Sequence, residues 1–158
     1  MNKMQYLISK STDAKKEAKA LTLKLGKSVL NKDIKIEYTD SGKPYILDSS
    51  YGISISHSKD MALVAISENL IGADIEIIRP FNEKLIKTYF SPDETAFIDS
   101  DEKFFTIWTV KEAYLKLTGV GLKGIKKLNV VTDGEIKIDG YNVLTKIENG
   151  YVFSIVYK

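Results

Sequence analysis

The stretch that most limits what this chain can fold into is residues 101–121, because read as a helix it leaves almost no face for water. At 3.6 residues per turn, Phe104, Trp108 and Leu115 fall along one line and Ile107, Val110, Tyr114 and Leu117 along others, with a glycine closing the end. A helix of this kind must be covered on most sides. Its one polar stripe, Phe105, Thr109, Glu112 and Lys116, changes character toward the C-terminal end. Glu112 and Lys116 stand one turn apart, which allows two readings. They form an exposed pair stabilising the helix by roughly 0.2–0.5 kcal/mol, or a pair half-buried by apolar flanks, which needs a functional reason.

The length of 158 residues suits one compact domain over 1–158, or two small halves sharing a core. At 44% hydrophobic and 28% charged, the expectation is a globular protein. The start, Met1-Asn2-Lys3-Met4-Gln5-Tyr6, lacks the apolar run of a signal peptide, and no run elsewhere is long enough to span a bilayer, so a cytoplasmic protein without membrane partners is expected. The absence of cysteine excludes disulfides, cysteine zinc sites and a thiol nucleophile, and the single histidine, His57, excludes a multi-histidine site. Any bound metal therefore takes oxygen ligands, which favours magnesium, calcium or manganese. The net charge of +2 hides an asymmetry. Residues 1–50 carry ten lysines against six acids, whereas residues 51–118 carry seven basic residues against eleven acids. Arg79 is the one arginine, so base-edge recognition is not suggested and no nucleic-acid partner is expected.

In chain order, Met4–Ser9 reads as a strand, Ser11-Thr12-Asp13 as a cap, and Ala14, Ala18, Leu21, Leu25 and Val29 as the inner face of a helix. Its other face carries Lys15, Lys16, Lys19, Lys24 and Lys27, either a solvated face or one that attracts phosphate. Strands follow at 34–39 and from Lys43-Pro44-Tyr45. A hairpin comes next, 51–58 with 61–67, in which the isoleucines face one way and Ser54 and Ser56 the other. Residues 70–78 form the most informative strand. Ile71, Ala73, Ile75 and Ile77 point to one side, Gly72, Asp74 and Glu76 to the other. The two carboxylates lie about 7 Å apart and repel by on the order of 2 kcal/mol at an effective dielectric near 20. Either water screens them at an open edge or a cation sits there, and Gly72 leaves room for a ligand to approach the backbone. Ser91-Pro92-Asp93-Glu94 is a helix start with Glu94 in a structural capping role. Residues 126–131, 135–138, 142–148 and 151–157 read as strands joined by tight turns. The order of elements repeats, which predicts an α+β fold of two similar halves, about 1–69 and 70–158, meeting at a ligand-binding interface.

Taken together, Gly42-Lys43-Pro44, Ile53-Ser54-Ile55-Ser56-His57-Ser58, Ile71-Gly72-Ala73-Asp74-Ile75-Glu76 and Trp108-Thr109-Val110-Lys111-Glu112-Ala113-Tyr114-Leu115-Lys116 resemble the phosphopantetheinyl transferases, specifically the monomeric, pseudo-twofold two-half type that activates peptide and polyketide synthetases. The resemblance covers about residues 42–121. It implies a Mg2+-dependent transferase that moves phosphopantetheine from coenzyme A to a serine of an apo acyl or peptidyl carrier protein, releasing adenosine bisphosphate. By the same resemblance Asp74, Glu76 and Glu112 hold the metal, Lys116 contacts the transferred phosphate, and Lys43, Ser56 and His57 face the coenzyme A phosphates. Glu112 is the candidate base for the carrier serine, directly or through a water. Lys111 is either a carrier contact or a surface charge. The chain is short for this type, and the lysines of the first helix take the ribose phosphate only as a group. The alternative is a non-catalytic relative that binds coenzyme A or the carrier. Whether the carrier serves fatty-acid, polyketide or peptide synthesis stays open.

Overall fold

The computed structural model describes residues 4–158; residues 1–3, the first part of the stretch read as having no signal peptide, lie outside the described residues. The chain begins with strand β1 (Met4–Lys10) and helix α1 (Ala14–Leu30). Asp13 caps α1, accepting a hydrogen bond from the Lys16 amide. A small hairpin, β2 (Ile36–Tyr38) and β3 (Pro44–Ile46), leads to β4 (Gly52–Ser58) and β5 (Met61–Ser67). The chain continues with β6 (Ile71–Ile77), α2 (Glu83–Tyr89), α3 (Pro92–Phe97) and α4 (Asp101–Thr118), followed by a short 3-10 turn at Leu122–Gly124. A second small hairpin, β7 (Val131–Thr132) and β8 (Glu135–Ile136), then precedes β9 (Asn142–Glu148) and β10 (Tyr151–Tyr157).

The strands form two antiparallel three-stranded sheets, β1-β5-β4 and β6-β10-β9. In each, the strand latest in sequence lies in the middle, paired with the earliest on one side and with the strand before it on the other. Alternation decides which side of each sheet is covered by what. Ala62, Val64 and Ile66 of β5 and Ile53 and Ile55 of β4 pack under Ala18, Leu21 and Leu25 of α1. The opposite side of β5, Leu63 and Ala65, meets Ile71, Ala73 and Ile75 of β6 and Phe153 and Ile155 of β10. Val152 and Val156 of β10 turn the other way, onto Val110, Ala113 and Leu117 of α4. The layers are thus helix, sheet, sheet, helix. The far side of α4 is closed by Phe90, Val130, Val131 and Ile138, with Phe81, Leu85 and Ile86 alongside.

Where strand β4 lies against β6 no backbone ladder joins them. Ser54, Ser56 and Ser58 each turn a hydroxyl toward β6 and accept from the amides of Ala73, Ile75 and Ile77 at 2.9, 3.2 and 3.0 Å. The serine face expected opposite the isoleucines is therefore the seam between the sheets.

Three expectations are corrected. Helix α4 stops at Thr118, because Gly119 turns left-handed at φ 76° and its amide bonds back to Leu115. The strands expected at 34–39, 126–131 and 135–138 shrink to two or three residues. Around Asn129 the reason is visible: its side chain amide bonds Asp93 and the Val131 carbonyl, so side chains rather than a ladder hold that segment. Finally, the space at Gly72 is taken by protein, not by a ligand. A Cβ there would collide with the Ala113 carbonyl and crowd the Leu117 amide of α4. Gly72→Ala is expected to destabilise the protein by about 3 kcal/mol, since the obstacle is backbone and cannot rotate away. Urea denaturation checks this, and an unchanged midpoint would refute the close approach.

Candidate active site

The seam opens into a cleft of about 270 Å³ beside the C-terminal end of α4. Ser41–Pro44 and Ile53–Ile55 line it on one side, Glu112, Leu115, Lys116, Gly119, Gly121 and Leu122 on the other. Lys43 reaches across to donate to the Leu117 carbonyl at 2.5 Å, placing a cation on one of the last unpaired carbonyls of α4, where the helix dipole favours it. Burial pushes the Lys43 ammonium below the ordinary lysine range.

The polar stripe of α4 faces inward. Thr109 is buried against Ser154, their hydroxyls 2.7 Å apart, and one to two turns on Glu112 and Lys116 reach the cleft. Lys116 does not pair with Glu112. Its ammonium donates to Asp74 Oδ1 at 3.2 Å and to the Ile55 carbonyl at 3.5 Å. Asp74 Oδ1 also accepts from the Ser56 hydroxyl at 3.1 Å, whereas Asp74 Oδ2 is buried with no partner. Glu76 is half-buried and holds Arg79 at 3.1 Å. Among the described residues, no three acidic or histidine side chains are gathered closely enough to hold one ion as they stand.

Burial is the main cause that raises the Asp74 carboxyl to about 7; Lys116 opposes it, and the charges of Glu76 and Glu112 add to it. Glu112 is raised too, first by burial, with Lys116 opposing and Glu76 adding. A carboxyl raised from 3.8 in the unfolded chain to about 7 contributes stability that is full below 3.8 and lost as pH rises through 7. That amounts to roughly 4 kcal/mol at about 1.36 kcal/mol per unit. In metal-free buffer the stability difference between the protein and its Asp74→Asn variant is expected to shift by about that much between roughly pH 4 and 7.5. Parallel urea curves at the two pH values measure it; a constant difference would show that Asp74 titrates normally.

Of the residues singled out from sequence, Lys43, Glu112 and Lys116 line the cleft and Asp74 lies behind it, bound to Lys116. Ser56 is buried in the seam between Asp74 and the Ile75 amide. His57, next along β4, points the opposite way into a second groove of about 600 Å³ between α1 and the β2–β3 hairpin. Lys15, Lys19 and Lys35 line that groove with Tyr38 and Ile36, and it shares Gly42, Pro44 and Ile55 with the cleft. The lysine face thus divides. Lys15 and Lys19 enter the groove, while Lys27 pairs with Asp33 on the surface at 3.5 Å. Lys111 is neither a surface charge nor free for a partner. It is fully buried, bonded to Glu94 at 2.5 Å and to the Tyr89 carbonyl at 2.8 Å. Glu94 fills its capping role, accepting the Ser91 amide, and adds the Val130 amide on its other oxygen.

Lys43, Lys116 and Glu112 thus line one cleft, with the buried Asp74 carboxylate behind it. The model of the 4'-phosphopantetheinyl transferase superfamily matches residues 70–154, more than half of the chain, and the chain belongs to that superfamily. It is similar to the 4'-phosphopantetheinyl transferase HetI of Nostoc sp., 37% identical over 110 residues, covering 61% of this chain and 46% of that protein. It is also similar to the 4'-phosphopantetheinyl transferase gsp of Aneurinibacillus migulanus, 32% identical over 101 residues, covering 60% and 42%. With the 4'-phosphopantetheinyl transferase Sfp of Bacillus subtilis the match is 31% over 117 residues, covering 68% and 52%. The chain thus spans about half the length of the curated relatives it matches. No helix among the described residues is long and apolar enough to cross a membrane.

Proposed function

We propose that the protein is a phosphopantetheinyl transferase, moving phosphopantetheine from coenzyme A to a serine of an apo acyl or peptidyl carrier protein. The observation that carries this reading is the buried Asp74 carboxylate, one oxygen unpartnered, beside Lys116 and behind a cleft lined by Lys43 and Glu112. Superfamily membership supports it. In this reading the halves 1–69 and 70–158 are pseudo-twofold relatives acting as one domain and one monomer, and the protein works in the cytoplasm.

Asp74, Glu76 and Glu112 would hold Mg2+. The donor set fits an oxygen-loving ion that takes a few carboxylates and completes its shell with phosphate and water, and the unpartnered Asp74 Oδ2 needs such a partner. The ion, when bound, draws charge from the phosphate oxygens. Lys43 and Lys116 neutralise the pyrophosphate from opposite walls of the cleft, and His57, Lys15 and Lys19 take the nucleotide phosphate in the adjoining groove. Ser56 orients Asp74. Glu112, its carboxyl raised above the ordinary range by burial, takes the proton of the carrier serine, directly or through water, as the serine oxygen bonds to the pantetheine-side phosphorus. The bond from that phosphorus to the bridging oxygen breaks, and adenosine bisphosphate leaves. An acidic helical carrier docks beside the lysine-lined groove.

The test is the intact mass of apo carrier proteins after incubation with this protein, coenzyme A and Mg2+, with a chelator control. The expected result is a gain of one phosphopantetheine that chelator abolishes. Coenzyme A binding without any gain across acyl and peptidyl carriers would make the protein a non-catalytic binder; no binding either would refute the reading.

A further inference from the structure

We propose that Lys116 is a resident substitute for the divalent cation: its ammonium holds Asp74 until the ion arrives, then swings into the cleft. The inference rests on the metal-binding part of the reading above and concerns how that site is kept ready.

Three observations carry it. First, Lys116 passes over Glu112, its neighbour one helical turn back, and spends its bonds on Asp74 Oδ1 and the Ile55 carbonyl. Those are oxygen ligands of the kind a hard cation takes. Second, Asp74 is buried, Glu76 and Glu112 both add their negative charge to its surroundings, and Glu76 already holds Arg79. Lys116 is the cation bonded to Asp74 itself. Third, the Lys116 side chain keeps 34% exposure and lines the cleft, so it has a way out, which the fully buried Lys111 lacks. A divalent ion on Asp74 Oδ2 and an ammonium on Oδ1 would crowd three positive charges onto one carboxylate, so each excludes the other. Released, the ammonium carries its charge to the position where a phosphate would lie. Lys43 is parked in the same way, on the Leu117 carbonyl.

Binding of Mn2+ alone, followed by electron paramagnetic resonance at about pH 8.5, well above the ordinary carboxylate range, separates the possibilities. K116M is expected to bind Mn2+ about tenfold tighter than the unaltered protein, and K116R to stay within about threefold of it or bind more weakly. Equal or weaker binding by K116M overturns the proposal, as does the absence of Mn2+ binding to both. A second measurement needs no variant: acetic anhydride labelling, read by peptide mass, with and without saturating Mg2+. Lys116 is expected to label about threefold faster with the ion and Lys43 at an unchanged rate; a Lys116 that stays equally protected overturns the exchange even if K116M fails to fold. Neither measurement uses coenzyme A or a carrier. A protein that exchanges its lysine but modifies no carrier would keep this inference and lose the transferase reading, and one that transfers without the exchange would do the reverse.

Discussion

Asp74→Ala and Glu112→Gln are each expected to lower kcat/KM for carrier modification by about a thousandfold or more, equivalent to roughly 4 kcal/mol of transition-state stabilisation. Asp74→Ala removes the carboxylate with the unpartnered oxygen and the anchor of Lys116. Glu112→Gln keeps size and most hydrogen bonding but can neither accept a proton nor bind a cation as a carboxylate. Both variants should keep the circular dichroism of the parent. Asp74→Ala should even be more stable near pH 7.5, since the cost of an ionised buried carboxylate disappears with it. Near-full activity in both variants would refute the site assignment.

The largest effect on stability is expected from the buried pair of Glu94 and Lys111. Replacing Lys111 with Met strands a carboxylate that has no exposure, and the loss should be about 3–5 kcal/mol. Glu94→Ala should cost as much, because it also orphans the amides of Ser91 and Val130 and leaves the ammonium, already pushed below the ordinary lysine range by burial, with only the Tyr89 carbonyl. The double variant Glu94→Gln, Lys111→Met should recover about half of the loss, because neither charge then remains alone. A double-mutant cycle from urea midpoints, with Glu94→Gln and Lys111→Met as its single variants, measures the coupling. Additive losses would mean that the two groups do not depend on each other.

The placement of the candidate site residues was legible because their positions are periodic. Alternation put Asp74 and Glu76 on one side of β6, and the 3.6-residue repeat put Glu112 and Lys116 on one stripe of α4. Periodicity also supplied the pairing partners β9 and β10, which are long enough to alternate several times. It failed where a neighbour distant in sequence decides the outcome. Lys111 has the same local surroundings as an exposed lysine, and only the packing of α2 and α3 over α4 buries it against Glu94. Gly72 reads as an open position from its strand alone, and what fills it is the backbone of a helix forty residues on. Lys116 was paired with the partner one turn away, whereas its partner is 42 residues distant. The missed clue was the spacing Ser54, Ser56, Ser58. Three small hydroxyls at alternate positions, opposite an apolar face, are suited to completing the bonds of another strand's edge.

That row of hydroxyls has a mechanical consequence. A backbone ladder would rivet the two sheets rigidly. Three serine bonds, each contributing about 1 kcal/mol, make a softer joint whose members rotate and lengthen a little without breaking. Lys43, in the turn before β3, stands on one side of the cleft at this joint and Lys116, on α4, on the other. A polyanion gripped by both would act as a clamp across it, so heating the protein with and without such a molecule would read the tightness of the grip as added cohesion at the joint.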